Sequence, residues 1–139
     1  MTLGFSNTFC PSAKEVKDAM DESKTHSIMI PVYNNQKNII MLQGYFRYYE
    51  DVKFVNAYIP NVKFDHEPPQ TELYNLSCRY QVSDFNSPRP IDVSYISLDQ
   101  TSSITDRINI LPSTGNWEIH KGSYNKCTGD KSKSCTFTF

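Results

Sequence analysis

The chain has no apolar run near the about 20 residues needed to cross a bilayer. Its longest, Ile28-Met29-Ile30 and Ile39-Ile40-Met41-Leu42, are strand-sized. It has no glycine-rich phosphate loop and no Gly-x-Ser-x-Gly elbow, so the motifs of phosphate cradling and α/β-hydrolase chemistry are missing. No Cys-x-x-Cys redox motif is present, and no two Cys or His residues stand two to four apart, the spacing zinc sites use. Excess charge is missing too. Fourteen Lys and Arg against fifteen Asp and Glu leave a net charge of −1, which gives nucleic acid no field to follow. No metal and no cofactor is expected. Internal repeats and low-complexity linkers are likewise lacking, so 139 residues read as one domain, 1–139, with a real core.

What is present is aromatic. Hydrophobic residues make up only 38% of the chain, but nine Tyr and eight Phe raise the aromatic share to 13%. Each can bury a large area, and disordered chains lack them. Four cysteines stand at Cys10, Cys78, Cys127 and Cys135. An even count without metal spacing in a small chain reads as a disulfide framework and an oxidising compartment. The start, Met1-Thr-Leu-Gly-Phe-Ser6, lacks the basic and apolar regions of a signal peptide. The expectation is therefore a mature secreted or periplasmic form whose signal peptide has been removed, with Met1 an added start. The rival is a cytosolic protein with four reduced thiols.

Ser12-Ala-Lys-Glu15 fits a capping box, and Pro11 suits a helix entry. Ala13, Val16, Ala19 and Met20 recur at helical spacing, predicting one helix that ends by about Ser23. Strand signals follow over His26–Tyr33, Ile39–Tyr49 and Lys53–Ile59, with a turn at Asn34-Asn35 and Gly44 as a bulge or close-contact point. Leu73–Val82 alternates most clearly: Tyr74, Leu76, Cys78, Tyr80 and Val82 point one way, Asn75, Ser77, Arg79 and Gln81 the other. Ser87–Pro90 reads as a turn. Ile91–Leu98, Ile104–Leu111 and Trp117–Lys121 complete the set, with Thr136–Phe139 as a last edge strand. The predicted fold is α+β: an N-terminal helix packed on a curved antiparallel β-sheet of about six to eight strands, held by two disulfides. A β-sandwich is the alternative.

Four cysteines allow three pairings. The chain-entropy treatment assigns about 2.6 kcal/mol to a ~9-residue loop and about 4.4 to a ~69-residue loop, which does not choose between them. Proximity favours Cys127 with Cys135. Cys10 with Cys78 would pin the helix to the sheet, and this pairing is preferred.

Cys10-Pro11-Ser12 before a capped helix, Leu76-Ser77-Cys78-Arg79-Tyr80 in mid-chain, and the ending Trp117, Tyr124-Asn-Lys-Cys127, Ser134-Cys135-Thr136-Phe137 together resemble a family of small exported proteins of unknown function found in Legionella and other Gram-negative bacteria. Phe54-Val-Asn-Ala57 resembles a further stretch of that pattern. Leu42-Gln43-Gly44 departs from it, where the family usually has an aromatic residue before the Gly, and the linker after Ile59 is longer. The resemblance implies a signal-peptide precursor, disulfides and an extracytoplasmic home. It implies no catalytic residues.

Asp65-His66-Glu67 reads as a solvated loop, since adjacent residues in an extended loop do not converge on a metal. Triads are recognised by geometry rather than order, so a small hydrolase using His66 or His120 stands as an alternative. Asn75-Leu76-Ser77 is a glycosylation sequon in form, coincidental in a bacterial protein. Tyr45-Phe46-Arg47-Tyr48-Tyr49, with Phe54 and Tyr58, concentrates aromatics, and alternation sends about half of them away from a core. The bland reading is a two-sided aromatic core; the functional one is a contact surface. Lys121, Lys126, Lys131 and Lys133 concentrate positive charge around the last cysteine pair, either as a solvated loop or as a surface for anionic lipid or glycan. The functional expectation is a non-enzymatic interaction module at a bacterium–host interface, with Tyr45, Tyr49, Lys121, Lys126, Lys131 and Lys133 as candidate contacts to a protein, glycan or anionic lipid surface. A small-ligand carrier is a further alternative.

Overall fold

The computed structural model describes residues 8–47, 49–64, 71–74, 76–84, 94–101, 110–120 and 123–139. Helix α1 runs over Ala13–Glu22. Its start is the expected capping box: the Ser12 hydroxyl accepts from the Glu15 amide at 3.1 Å, and the Glu15 carboxylate accepts from the Ser12 amide at 3.4 Å. Val16 and Met20 are buried on its one apolar stripe. Lys14–Asp18 and Lys17–Asp21 pair along the solvent side.

The described residues form eleven strands: β1 Thr8–Phe9, β2 Ser27–Tyr33, β3 Ile39–Tyr45, β4 Tyr49–Phe64, β5 Thr71–Tyr74, β6 Ser77–Asp84, β7 Ser94–Gln100, β8 Leu111–Gly115, β9 Trp117–His120, β10 Tyr124–Thr128 and β11 Cys135–Thr138. Seven form one antiparallel sheet in the order β2-β3-β7-β6-β4-β10-β9, with β5 pairing the far end of β4. Three form a small sheet, β1-β11-β8. The molecule is thus α+β, one helix packed on antiparallel sheets. α1 lies against β2 and β4.

Alternation along each strand selects the core. Ile28, Ile30 and Val32 of β2, Ile40 and Leu42 of β3, Cys78, Tyr80 and Val82 of β6, and Ile96 and Leu98 of β7 are all buried. Val52, Phe54, Ala57 and Ile59 continue the layer on β4. Both expected disulfides form: Cys10–Cys78 ties the residue before the helix entry to β6, and Cys127–Cys135 joins β10 of the large sheet to β11 of the small one. Two residues beyond Cys78, the buried Tyr80 hydroxyl donates to the Pro11 carbonyl. Gly44 is a close-contact point and not a bulge, since the β2–β3 register runs through it unbroken. A Cβ there would collide with the Leu98 side chain and lie 2.8 Å from the Ser97 carbonyl oxygen.

Several expectations shift. The strand expected over Ile39–Tyr49 ends at Tyr45, and Tyr49 opens β4. Leu73–Val82 is two strands because β4 changes partner along its length, pairing β6 through Tyr58 and β5 from Asn61. Leu76 sits at the break, and its carbonyl accepts from the Gln100 amide at 3.0 Å. Ser77 keeps the outward register but is buried, its hydroxyl 2.7 Å from that of Ser97. The C-terminal strand β11 is central in its sheet and not an edge, with β1 on one side and β8 on the other. β8 and β9 lie in different sheets, separated only by Asn116, and the chain switches sheets at Gly115 with φ +124°. Tyr74's side chain, Asn75, the 65–69 loop with His66, the Ser87–Pro90 turn, most of the strand expected at Ile104–Leu111, and Lys121 lie outside the described residues.

Two stability outcomes follow from this packing. Gly44→Ala should destabilise by about 1–3 kcal/mol in urea titration, because the backbone carbonyl at 97 cannot step aside as a side chain would. Burial, with the Glu15 carboxylate as a lesser cause, pushes the Tyr80 phenol far above its ordinary pKa of 10.0. The unfolded chain ionises near 10 while the native phenol stays protonated. Tyr80's contribution is therefore intact below about pH 10 and is lost above it, at up to about 1.4 kcal/mol per pH unit. Unfolding midpoints measured from neutral to alkaline pH should fall less steeply for Tyr80→Phe, which at neutral pH loses about 1–3 kcal/mol by orphaning the Pro11 carbonyl.

Candidate functional site: the open face of the large sheet

The large sheet has two faces, and only one is covered by the helix and core. Strand register lays out the other. From one edge to the other it carries Met29 and Tyr33 on β2, Gln43 and Tyr45 on β3, Tyr95 and Ser97 on β7, Arg79 on β6, Tyr58 on β4, Tyr124 and Lys126 on β10, and His120 on β9. Met29, Tyr33, Tyr45 and Tyr95 are exposed, Tyr45 by 72% and Tyr95 by 61%. A solvated sheet face is ordinarily polar, so large apolar side chains gathered there need a reason.

A stacked row crosses four strands. The His120 and Tyr124 rings lie 4.4 Å apart, Tyr124 and Tyr58 5.1 Å apart, and the Arg79 guanidinium sits 5.4 Å above the Tyr58 ring. Stacking holds the Arg79 fork in place while leaving its N–H groups free: among the described residues the Arg79 side chain makes no ion pair or hydrogen bond.

Beside this row β4 is bulged. Its register shifts between Phe54 and Asn56, so Val55 and Asn56 together face Arg79 of β6. An extra residue bends a strand and re-aims its side chains. The bulge opens a cavity of about 400 Å³ on the open face, lined by Val55, Asn56, Arg79, Tyr95, Ile96 and Ser97. Asn56 is only 7% exposed, and its Oδ1 has no hydrogen-bond partner. The Ser97 hydroxyl lies 2.7 Å from that of Ser77 and 3.3 Å from the Asp99 carboxylate, so its one proton is engaged within the protein. A second cavity, about 350 Å³, lies at the helix entry between Phe9, Pro11, Glu15 and Tyr33.

The expected contact residues do not form one patch. Tyr45 stands on the open face, where its hydroxyl accepts from the Gln43 amide at 3.2 Å. Tyr49 is half-buried, its ring 6.0 Å from Phe46, which packs against the core. Lys126 lies on the open face of β10, directly between Glu118 and Tyr58 in register. Lys131 and Lys133 are exposed in the loop closed by Cys127–Cys135. Tyr45 and Lys126 are four strand steps apart, about 19 Å at sheet spacing. Arg79 was legible as an outward position from alternation, and Tyr58 only as one of an aromatic group of which about half must leave the core; Asn56 was not, because nothing in Phe54-Val55-Asn56 marks a bulge.

All four cysteines are in disulfides, so none is a thiol nucleophile. Among the described residues no group of three or more His, Cys, Asp or Glu could hold a metal ion, and no helix is long and apolar enough to cross a membrane. His120 stacks on Tyr124, with Glu118 at 3.7 Å on the same edge strand. No family model, no curated protein and no solved structure matches the chain.

The stacked row should be measurable without a ligand. A double-mutant cycle of Arg79→Gln and Tyr58→Leu, read by denaturant unfolding, should give a coupling of about 0.5–1 kcal/mol.

Proposed function

We propose that this chain is a secreted or periplasmic, non-enzymatic binding module that acts at a bacterium–host interface and meets its ligand through the open face of the large sheet. One observation carries the reading: that face gathers exposed Tyr33, Tyr45 and Tyr95 with an Arg79 side chain that has no ion-pair partner among the described residues, in a sheet whose other face is packed. Exposed Tyr and Arg are the residue types that anchor partners. The two disulfides support an oxidising compartment. So does the resemblance, carried by Cys10-Pro11, Cys78-Arg79-Tyr80 and Cys135-Thr136-Phe137, to small exported bacterial proteins.

An oligosaccharide array and phosphatidylglycerol vesicles test it. Binding should weaken about tenfold or more in a Tyr45→Ala/Tyr95→Ala variant that keeps its near-ultraviolet dichroism. Binding that survives this change but is lost in Lys131→Ala/Lys133→Ala would move the site to the disulfide loop. Failure of every array and vesicle probe to bind would count against the module itself.

A further inference from the structure

The cavity at the β4 bulge has a chemistry of its own, and it deepens the reading of the open face on which it rests. Its polar groups are of two kinds. Arg79 offers N–H donors and a positive charge; among the described residues its side chain makes no ion pair, and Asp99 stands diagonally from it in register on the same face. The single Ser97 hydroxyl proton is engaged by Ser77 or Asp99, so toward the cavity Ser97 has only acceptor capacity left. The Asn56 side chain is buried against the cavity with its carbonyl oxygen unpartnered, and rotation about its last torsion exchanges amide nitrogen and oxygen. Buried polar groups without partners are uncommon and are satisfied by whatever enters the site. Tyr95 adds an exposed aromatic plane at the rim.

A ligand that fits must carry an anionic acceptor for Arg79, hydroxyl donors for Asn56 and Ser97 a few ångströms away, and an apolar C–H face for Tyr95. A plain carboxylate or phosphate lacks the donors and the face. A neutral sugar lacks the charge. A nucleobase carries a face and N–H donors but no charge for Arg79. We infer that the bulge cavity is a subsite for an acidic sugar residue, with its carboxylate on Arg79, its hydroxyls on Asn56 and Ser97, and its ring face on Tyr95. The volume of about 400 Å³ is in the range of small-ligand sites and holds one pyranose ring with room for its neighbours at the open side.

The test uses galacturonate oligomers, the matching galactose oligomers as neutral controls, and the full chain with both disulfides. The expected result is tighter binding of the uronate than of the neutral oligomer, with shifts of the Asn56 side-chain amide resonances on titration. Arg79→Gln should weaken uronate binding about ten- to hundredfold, and Tyr95→Ala should weaken both sugars. Arg79 is exposed, so Arg79→Gln keeps the fold, which near-ultraviolet dichroism verifies. Equal binding of acidic and neutral oligomers, uronate binding that survives Arg79→Gln, or no uronate binding overturns the subsite. Ligand binding that depends on Tyr45 but not on Arg79 or Asn56 overturns the subsite and leaves the open-face module standing.

Discussion

The open face exists because the other face is closed, and the closure turns on two side chains of β6. Cys78 and Tyr80, two residues apart and on the same side of the strand, both hold the helix entry: one by a disulfide to Cys10, the other by a hydrogen bond to the Pro11 carbonyl. A central strand paired on both sides is the stiffest part of a sheet. Fastening Cys10 and Pro11 there fixes where α1 begins, and the capping box at Ser12 then fixes its direction. Val16 and Met20 fall onto the sheet as a result. The bridge spans 68 residues of sequence, and constraining an unfolded chain over that length contributes about 4.4 kcal/mol in the chain-entropy treatment. No single contact elsewhere among the described residues matches that.

The second disulfide has a different duty. Cys127 lies on β10 and Cys135 opens β11, so the bridge crosses from one sheet to the other. Trp117 of β9 donates its indole N–H to the Thr136 carbonyl at 2.8 Å and spans the same gap. Gly115, the hinge at which β8 turns into β9, packs so closely under Ser134 that any side chain would strike its carbonyl. The basic loop between the cysteines is thus the tip of a joint between sheets.

The parts of this molecule that could be read in advance are the ones written in local chemistry. The capping box is four residues long. The alternation Cys78-Arg79-Tyr80-Gln81-Val82 needs only its own period, and the helix–sheet disulfide follows once both are placed. The rest depends on pairing between distant segments. β11 looks like a terminal edge strand until β1 arrives on its outer side, from a segment only two residues long in the ladder. The break at Leu76 reflects a change of partner along β4, which no residue in 73–82 announces. The bulge at Val55 is the same kind of event: two residues on β4 share one partner on β6, and the resulting cavity borrows Tyr95 and Ser97 from a third strand. Tyr45 and the lysine loop both carried recognisable chemistry, but adjacency was the missing quantity, and only strand order supplies it.

The sheet's outer strand β2 has one more consequence. Its neighbour on one side is β3; the other side has no paired strand among the described residues, although the Ser27 and Tyr33 carbonyls at its two ends accept from the Ser23 and Thr8 hydroxyls. Pro31 stands in the middle of the strand and has no N–H to offer. A proline at this position blunts edge-to-edge growth, the route by which exposed strands become fibrils. The protein can therefore display an aromatic sheet face to solvent without also offering the adjoining β2 border as a template for aggregation.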